Sequence, residues 1–160
     1  MSIKTILVPT DFSENAQVAF EKAYELARQL GAKLYLLHIR DESALRTAIR
    51  EGLLDGATTD EQLQDAVKRL TEERFSKMLA SVDTSKVEIE RASRRGDADQ
   101  VIIACAKELP ADLIVIGRRG AGLVEKIKSA VLGSVAETVI RKSPCPVLVV
   151  RRDHAKKDNG

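Results

Sequence analysis

Short apolar runs alternate with longer stretches of helical periodicity along the whole chain, and this constrains the fold more than any other feature. Residues 3–8 read as an apolar strand stopped by Pro9-Thr10-Asp11. A helix follows, with Ala16, Phe20, Ala23, Ala27 and Leu30 at helical spacing, an Asp11/Glu14 capping box and Gly31 as its C-terminal cap. Residues 34–39 are the second strand. Residues 40–59 carry mixed polarity and two glycines, and read as a loop with a helical turn. A long helix over 60–81 places Leu63, Val67, Leu70 and Met78 near one face, with Asp65/Arg69 and Glu73/Lys77 as i,i+4 pairs outside. Residues 86–92 alternate apolar and charged, as a strand near a sheet edge does. Gly96-Asp97 opens a third helix, with an Asp97/Gln100 capping box, apolar Val101, Ile102, Cys105 and Leu109, and Pro110 as its stop. Residues 113–116 form a fully apolar strand. A helix starting at Gly133-Ser134 precedes the last strand, Val147–Val150. The resulting order, β-α-β-α-β-α-β-α-β, requires right-handed crossovers, hence a mostly parallel sheet with helices on both faces.

The 160-residue length suits one domain, expected over 1–152, followed by a basic, disordered tail at 153–160. Apolar residues make up 44% of the chain and aromatic ones only 3%, so Val, Ile, Leu and Ala must build the core. So few rings argue against stacking on nucleic-acid bases. The 26 basic and 24 acidic residues balance further once 151–160 is set aside, leaving 22 of each. A balanced body excludes a broad nucleic-acid or membrane-binding face. No signal peptide or spanning segment is legible, and the expected location is cytoplasmic. Cys105 and Cys145 stand in apolar surroundings without metal-ligand spacing, and read as buried free thiols.

In open parallel sheets, ligands bind beyond the carboxyl ends of the strands, near the switch in strand order. Pro9-Thr10-Asp11, Ile39-Arg40-Asp41 and Gly117-Arg118-Arg119-Gly120 all fall there. Gly117, Gly120 and Gly122 allow close backbone approach. Gly133-Ser134 then opens a helix whose first amides can bind phosphate. Arg118, Arg119, Lys126 and Lys128 against Glu125 give this stretch a local charge of +3, suited to an anion. Ser134 and Glu137 also spell a capping box, which needs no ligand.

The chain resembles the universal stress protein family. KTILVPTDFS, LYLLHI, ADLIVIGRRG and LGSVAETVIRKSPCPVLVVRR look like the family's segments, in family order. The resemblance implies a three-layer α/β sandwich with a five-stranded parallel sheet of Rossmann-like, adenine nucleotide alpha hydrolase-like topology. Its nucleotide-binding branch carries G-x2-G-x9-G-[S/T]. Gly117, Gly120, Gly133 and Ser134 match the residue types, but 12 residues separate Gly120 from Gly133. By resemblance, Gly117, Gly120, Gly133, Ser134 and Val135 cradle phosphates and ribose, while Pro9, Asp11 and Ile39 line the adenine and ribose pocket. The resemblance further implies ATP (or ADP or AMP) as ligand, with or without a divalent cation, and a homodimer. An apolar final strand at a sheet edge points to Val147–Val150 as the dimer contact.

The expected function is that of an ATP-binding regulatory protein of the stress response, at most a slow ATPase. No Ser-His-Asp group, Walker pattern or GxGxxG after the first strand is present, and Asp11 is the first candidate for a general base. The longer glycine spacing favours an alternative, an interaction module of the same family that binds no nucleotide. A phosphoacceptor receiver domain would want an acidic cluster at the first strand end, where Asp11 stands alone.

Overall fold

The computed structural model describes residues 2–40, 50–52, 59–118 and 132–152. The expectations for Asp41, Arg119, Gly120, Gly122, Glu125, Lys126, Lys128 and 153–160, and most of those for 40–59, lie outside the described residues. Five strands form one parallel sheet: β1 (Thr5–Thr10), β2 (Lys33–Arg40), β3 (Ile89–Arg95), β4 (Leu113–Gly117) and β5 (Val147–Val150). Four helices are described: α1 (Glu14–Leu30), α2 (Asp60–Leu79), α3 (Ala98–Glu108) and α4 (Ser134–Lys142). The spatial order β3-β2-β1-β4-β5 puts the topological switch between β1 and β4, and β3 and β5 at the edges.

Successive residues of a strand point to opposite faces, so an apolar strand can serve two cores. Ile6 and Val8 enter one core, with Leu34, Leu36, Val115 and the α1 residues Ala19, Phe20 and Ala23. Leu7 enters the other, with Leu37, Ile114 and Ile116 against Ile102 and Cys105 of α3 and Val139 of α4. Small alanines on α1 let it lie close on the sheet.

Several local expectations are corrected. α2 buries Thr71, Phe75 and Met78, whereas Leu70 is 47% exposed, because only the last turns of this 20-residue helix reach the core. Neither the Asp65/Arg69 nor the Glu73/Lys77 ion pair closes. β3 runs to Arg95, since polar side chains find partners there: Ser93 Oγ lies 3.1 Å from His38 Nδ1, and Arg94 pairs with Glu108 at 2.7 Å. Cys105 is buried, but Cys145 is only half-buried, beside Ser143.

The helix starts differ most. α1 is capped by Ser13, whose Oγ accepts the Ala16 N–H at 3.2 Å, not by Asp11. α2 carries a full capping box between Thr59 and Gln62, which the sequence reading missed. Asp97 occupies the α3 cap position without a side-chain bond, because Asp99 takes the Gln100 N–H instead. The α4 cap residue is Gly133, so Ser134 is already helical and its hydroxyl caps nothing. Gly31 closes α1 as expected, at φ +65°.

Candidate functional site

The switch between β1 and β4 opens a cleft at the carboxyl edge of the sheet. β1 ends in a tight turn. Thr10 Oγ1 accepts the Phe12 N–H and Asp11 Oδ1 accepts the Ser13 N–H, both at 2.9 Å. These bonds hold Phe12 at φ +62°, an uncommon conformation for a side chain with a Cβ. They leave Asp11 at the mouth of the cleft. β4 ends at Gly117, where an added Cβ would lie 2.9 Å from the Asn15 carbonyl oxygen. The glycine at 117 therefore lets the first turn of α1 pack directly on β4, which is a requirement of the fold itself.

Arg118 joins three elements through its backbone. Its N–H donates to the Val150 carbonyl at 3.2 Å, and its own carbonyl accepts the Gly133 N–H at 3.0 Å. The start of α4 is thus set against the end of β4, whatever the length of chain between them. The first amides of α4 have no carbonyl one turn back inside the helix, and among the described residues no side chain caps them. Glu137 N–H, bonded to the Gly133 carbonyl at 3.0 Å, is the first to be satisfied inside the helix. Open amides at the positive end of a helix suit an anion.

The cleft holds about 690 Å³, within the range of small-molecule and cofactor sites. The structure brings Pro9, Asp11, Ile39, Gly117, Gly133, Ser134 and Val135 together on its walls. Gly120 lies outside the described residues. The sequence-based site set lacked Ala98 and Ile102 of α3, Ile116 of β4, Arg118 and Glu137, which also line the cleft. Arg118 was legible as local positive charge. Ile102 and Ile116 carry only the apolar periodicity that any core residue shares. The walls combine apolar Ile39, Ile102 and Ile116 with polar Arg118, Ser134 and Glu137.

On the opposite face, burial, Arg74 and Arg40 together push the His38 pKa below its usual 6.5, against a smaller opposing pull from Asp11. Burial raises the Cys105 thiol, which argues against a reactive thiolate. Among the described residues no three His, Cys, Asp or Glu side chains cluster to hold a metal, and no helix is long and apolar enough to cross a membrane.

The sequence model of the universal stress protein family matches residues 2–151. Universal stress protein MJ0577 of Methanocaldococcus jannaschii is 32% identical over 164 residues, which cover 95% of this chain and 97% of the relative. The solved structure of MJ0577 aligns with a TM-score of 0.76 at 26% identity, covering 97% of this chain and 100% of that one. A universal stress protein from Archaeoglobus fulgidus, solved in complex with dAMP, aligns with a TM-score of 0.58 at 25% identity, covering 93% and 98%. A match across nearly the whole chain, in sequence and in fold, places this protein in the universal stress protein family.

Proposed function

We propose that this protein binds an adenine nucleotide, ATP first among them, in the cleft between β1 and β4, and acts as a nucleotide-responsive regulator in the stress response. The observation that carries the reading is the meeting, in one cleft, of strand-end residues from β1, β2 and β4 with a helix start whose cap residue, Gly133, has no side chain to offer. In this reading the Ser134 and Val135 amides and the Ser134 hydroxyl hold phosphate, with Gly117, Gly120 and Gly133 giving the backbone close approach. Pro9, Asp11 and Ile39 line the base and ribose. Arg118 adds positive charge near the phosphates, and a divalent cation accompanies the longer phosphate chains. The dAMP bound to the Archaeoglobus relative supports an adenylate as ligand. Asp11 is the candidate base for a slow hydrolysis.

Gly133 has φ −61°, so a side chain there meets no backbone strain. Gly133→Val therefore tests the site by bulk alone. Calorimetry should show ATP binding by the parent and a loss of at least about tenfold, about 1.4 kcal/mol, in the variant. Equal affinities in two proteins with the same circular dichroism would remove the site.

The reading extends to a cytoplasmic homodimer joined through β5. This strand is an outer one, continuously apolar, with Leu148 37% exposed, and an unpaired edge of this kind invites a second copy. Light scattering should give twice the chain mass at micromolar concentration. A monomer there would end the dimer proposal and leave the nucleotide site untouched.

A further inference from the structure

The face of the sheet turned away from the cleft carries a second concavity, a groove of about 530 Å³ between the start of α1 and the last turns of α2. Its floor is apolar, made by the Phe12 ring and the buried Met78. Its rim carries two cations three residues apart on α2, Arg74 and Lys77. Elsewhere among the described residues Lys33 is paired with Glu88 and Glu90, and Arg91 with Glu72. Among the described residues no ion pair engages Arg74 or Lys77, although Glu73 stands four residues before Lys77 on the same helix. The Arg74 guanidinium lies 6.0 Å from the Phe12 ring centroid, over the floor of the groove. Ser13 adds a hydroxyl that accepts from the Ala16 N–H and keeps its own proton to donate.

The floor is fixed from below. Phe12 packs against His38 at 4.6 Å between ring centroids and edge-on to Phe75 at 5.1 Å. Its positive φ is what turns this ring into the groove, and backbone strain of this kind persists only where the surroundings hold it. Beneath the floor, after burial, Arg74 from α2 and Arg40 from β2 disfavour a charged His38, against a smaller opposing pull from Asp11 on the β1–α1 turn.

We propose that this groove is a second ligand site, for a small phosphate monoester, with the phosphate between Arg74 and Lys77 and the apolar part of the ligand on Phe12 and Met78. A guanidinium and an ammonium together match a phosphate's charge, and the planar fork of arginine gives the contact direction. Asp11 lines both this groove and the nucleotide cleft, so one turn of chain forms a wall of each.

His38 is one of only two histidines in the chain and lies under the floor, which makes it a reporter. Its ring packs against Phe12 and Phe75 and lies beside Ser93, and the charges it senses are those of Arg74, Arg40 and Asp11. Phenyl phosphate titrated into the full chain should shift the His38 ring resonances, assigned with His38→Gln, to saturation. It should also raise the His38 pKa, because the phosphate offsets Arg74. Inorganic phosphate, lacking the apolar part, should bind about tenfold more weakly. The double variant Arg74→Ala/Lys77→Ala changes exposed helix positions, should keep its circular dichroism, and should lose at least about tenfold in affinity. Gly133→Val should keep the response, which separates this groove from the nucleotide cleft. An unresponsive parent, a shift that survives the double variant, equal affinity for the two phosphates, or loss of the response in Gly133→Val would each overturn the proposal.

Discussion

The two faces of the sheet solve the same local problem in opposite ways. Each helix begins with amides that lack partners inside the helix. On one face, α1 and α2 satisfy them from their own sequence, through Ser13 and through the Thr59–Gln62 box. On the other, the α3 cap residue Asp97 makes no side-chain bond, although Asp99 takes the Gln100 N–H, and α4 starts at Gly133, which has no side chain to offer; both starts border the cleft. The first face also carries the large rings, Phe20 and Phe75, while the second packs aliphatic side chains and leaves a cavity. The difference teaches that a capping pattern and a ligand site compete for the same donors. Where the side chains decline them, the donors remain available to a ligand.

The contrast can be pressed hardest at Phe20, fully buried under α1. Phe20→Ala should cost about 3–5 kcal/mol in denaturant unfolding. Nucleotide affinity per folded molecule should stay close to that of the parent. A parallel loss of affinity would mean the two faces are not separable. A smaller effect divides two serines. Ser13→Ala removes a cap and should cost about 1 kcal/mol of stability. Ser134→Ala removes none and should leave stability nearly unchanged, while lowering nucleotide affinity. Equal destabilisation by both changes would make Ser134 structural and dissolve the contrast between the helix starts.

The smallest expected effect is a pH dependence confined to the α1–α2 face. His38 has its pKa lowered in the fold, mainly by burial and then by Arg74 and Arg40. Just below 6.5 the unfolded chain therefore binds more protons than the folded one. Stability is full above 6.5 and falls as the pH drops through that value toward the lower folded pKa. Unfolding free energies measured between neutral pH and the onset of carboxylate titration should show this slope in the parent and a flatter line in His38→Gln. An unchanged slope in the variant would assign the effect to another group.

The strand and helix order was legible because both signals are periodic and long. The alternation through β1, β2 and β4, and the 3.6-residue spacing of α1, each repeat several times. Capping boxes are four-residue patterns, and three that the sequence spells at Asp11, Asp97 and Ser134 do not form. The path of the chain decides which oxygen meets which amide: Asp11 is drawn into a turn with Ser13, and Asp99 reaches Gln100 before Asp97 can. The edge strand β3 ran past its expected end because Ser93 and Arg94 are satisfied by residues distant in sequence, His38 and Glu108. Within the cleft, glycines and strand ends stood out, since they break a pattern. Ala98 and Ile102 did not, because a cavity wall and a packed core present the same apolar side chains to the sequence reader. Leu70 shows the converse, an apolar residue at helical spacing that α2 carries beyond the reach of the sheet.

The backbone of Arg118, tied to Val150 on one side and to Gly133 on the other, has a consequence for how this protein tolerates change. Fourteen residues lie between Arg118 and Gly133, and the bond between these two anchors both ends of that interval at one point. Closing a loop costs only slowly more as it lengthens, and three added residues on this scale amount to a few tenths of a kcal/mol, on the order of thermal energy. The start of α4 therefore keeps its place against the end of β4 when the number of residues between Arg118 and Gly133 changes by a few.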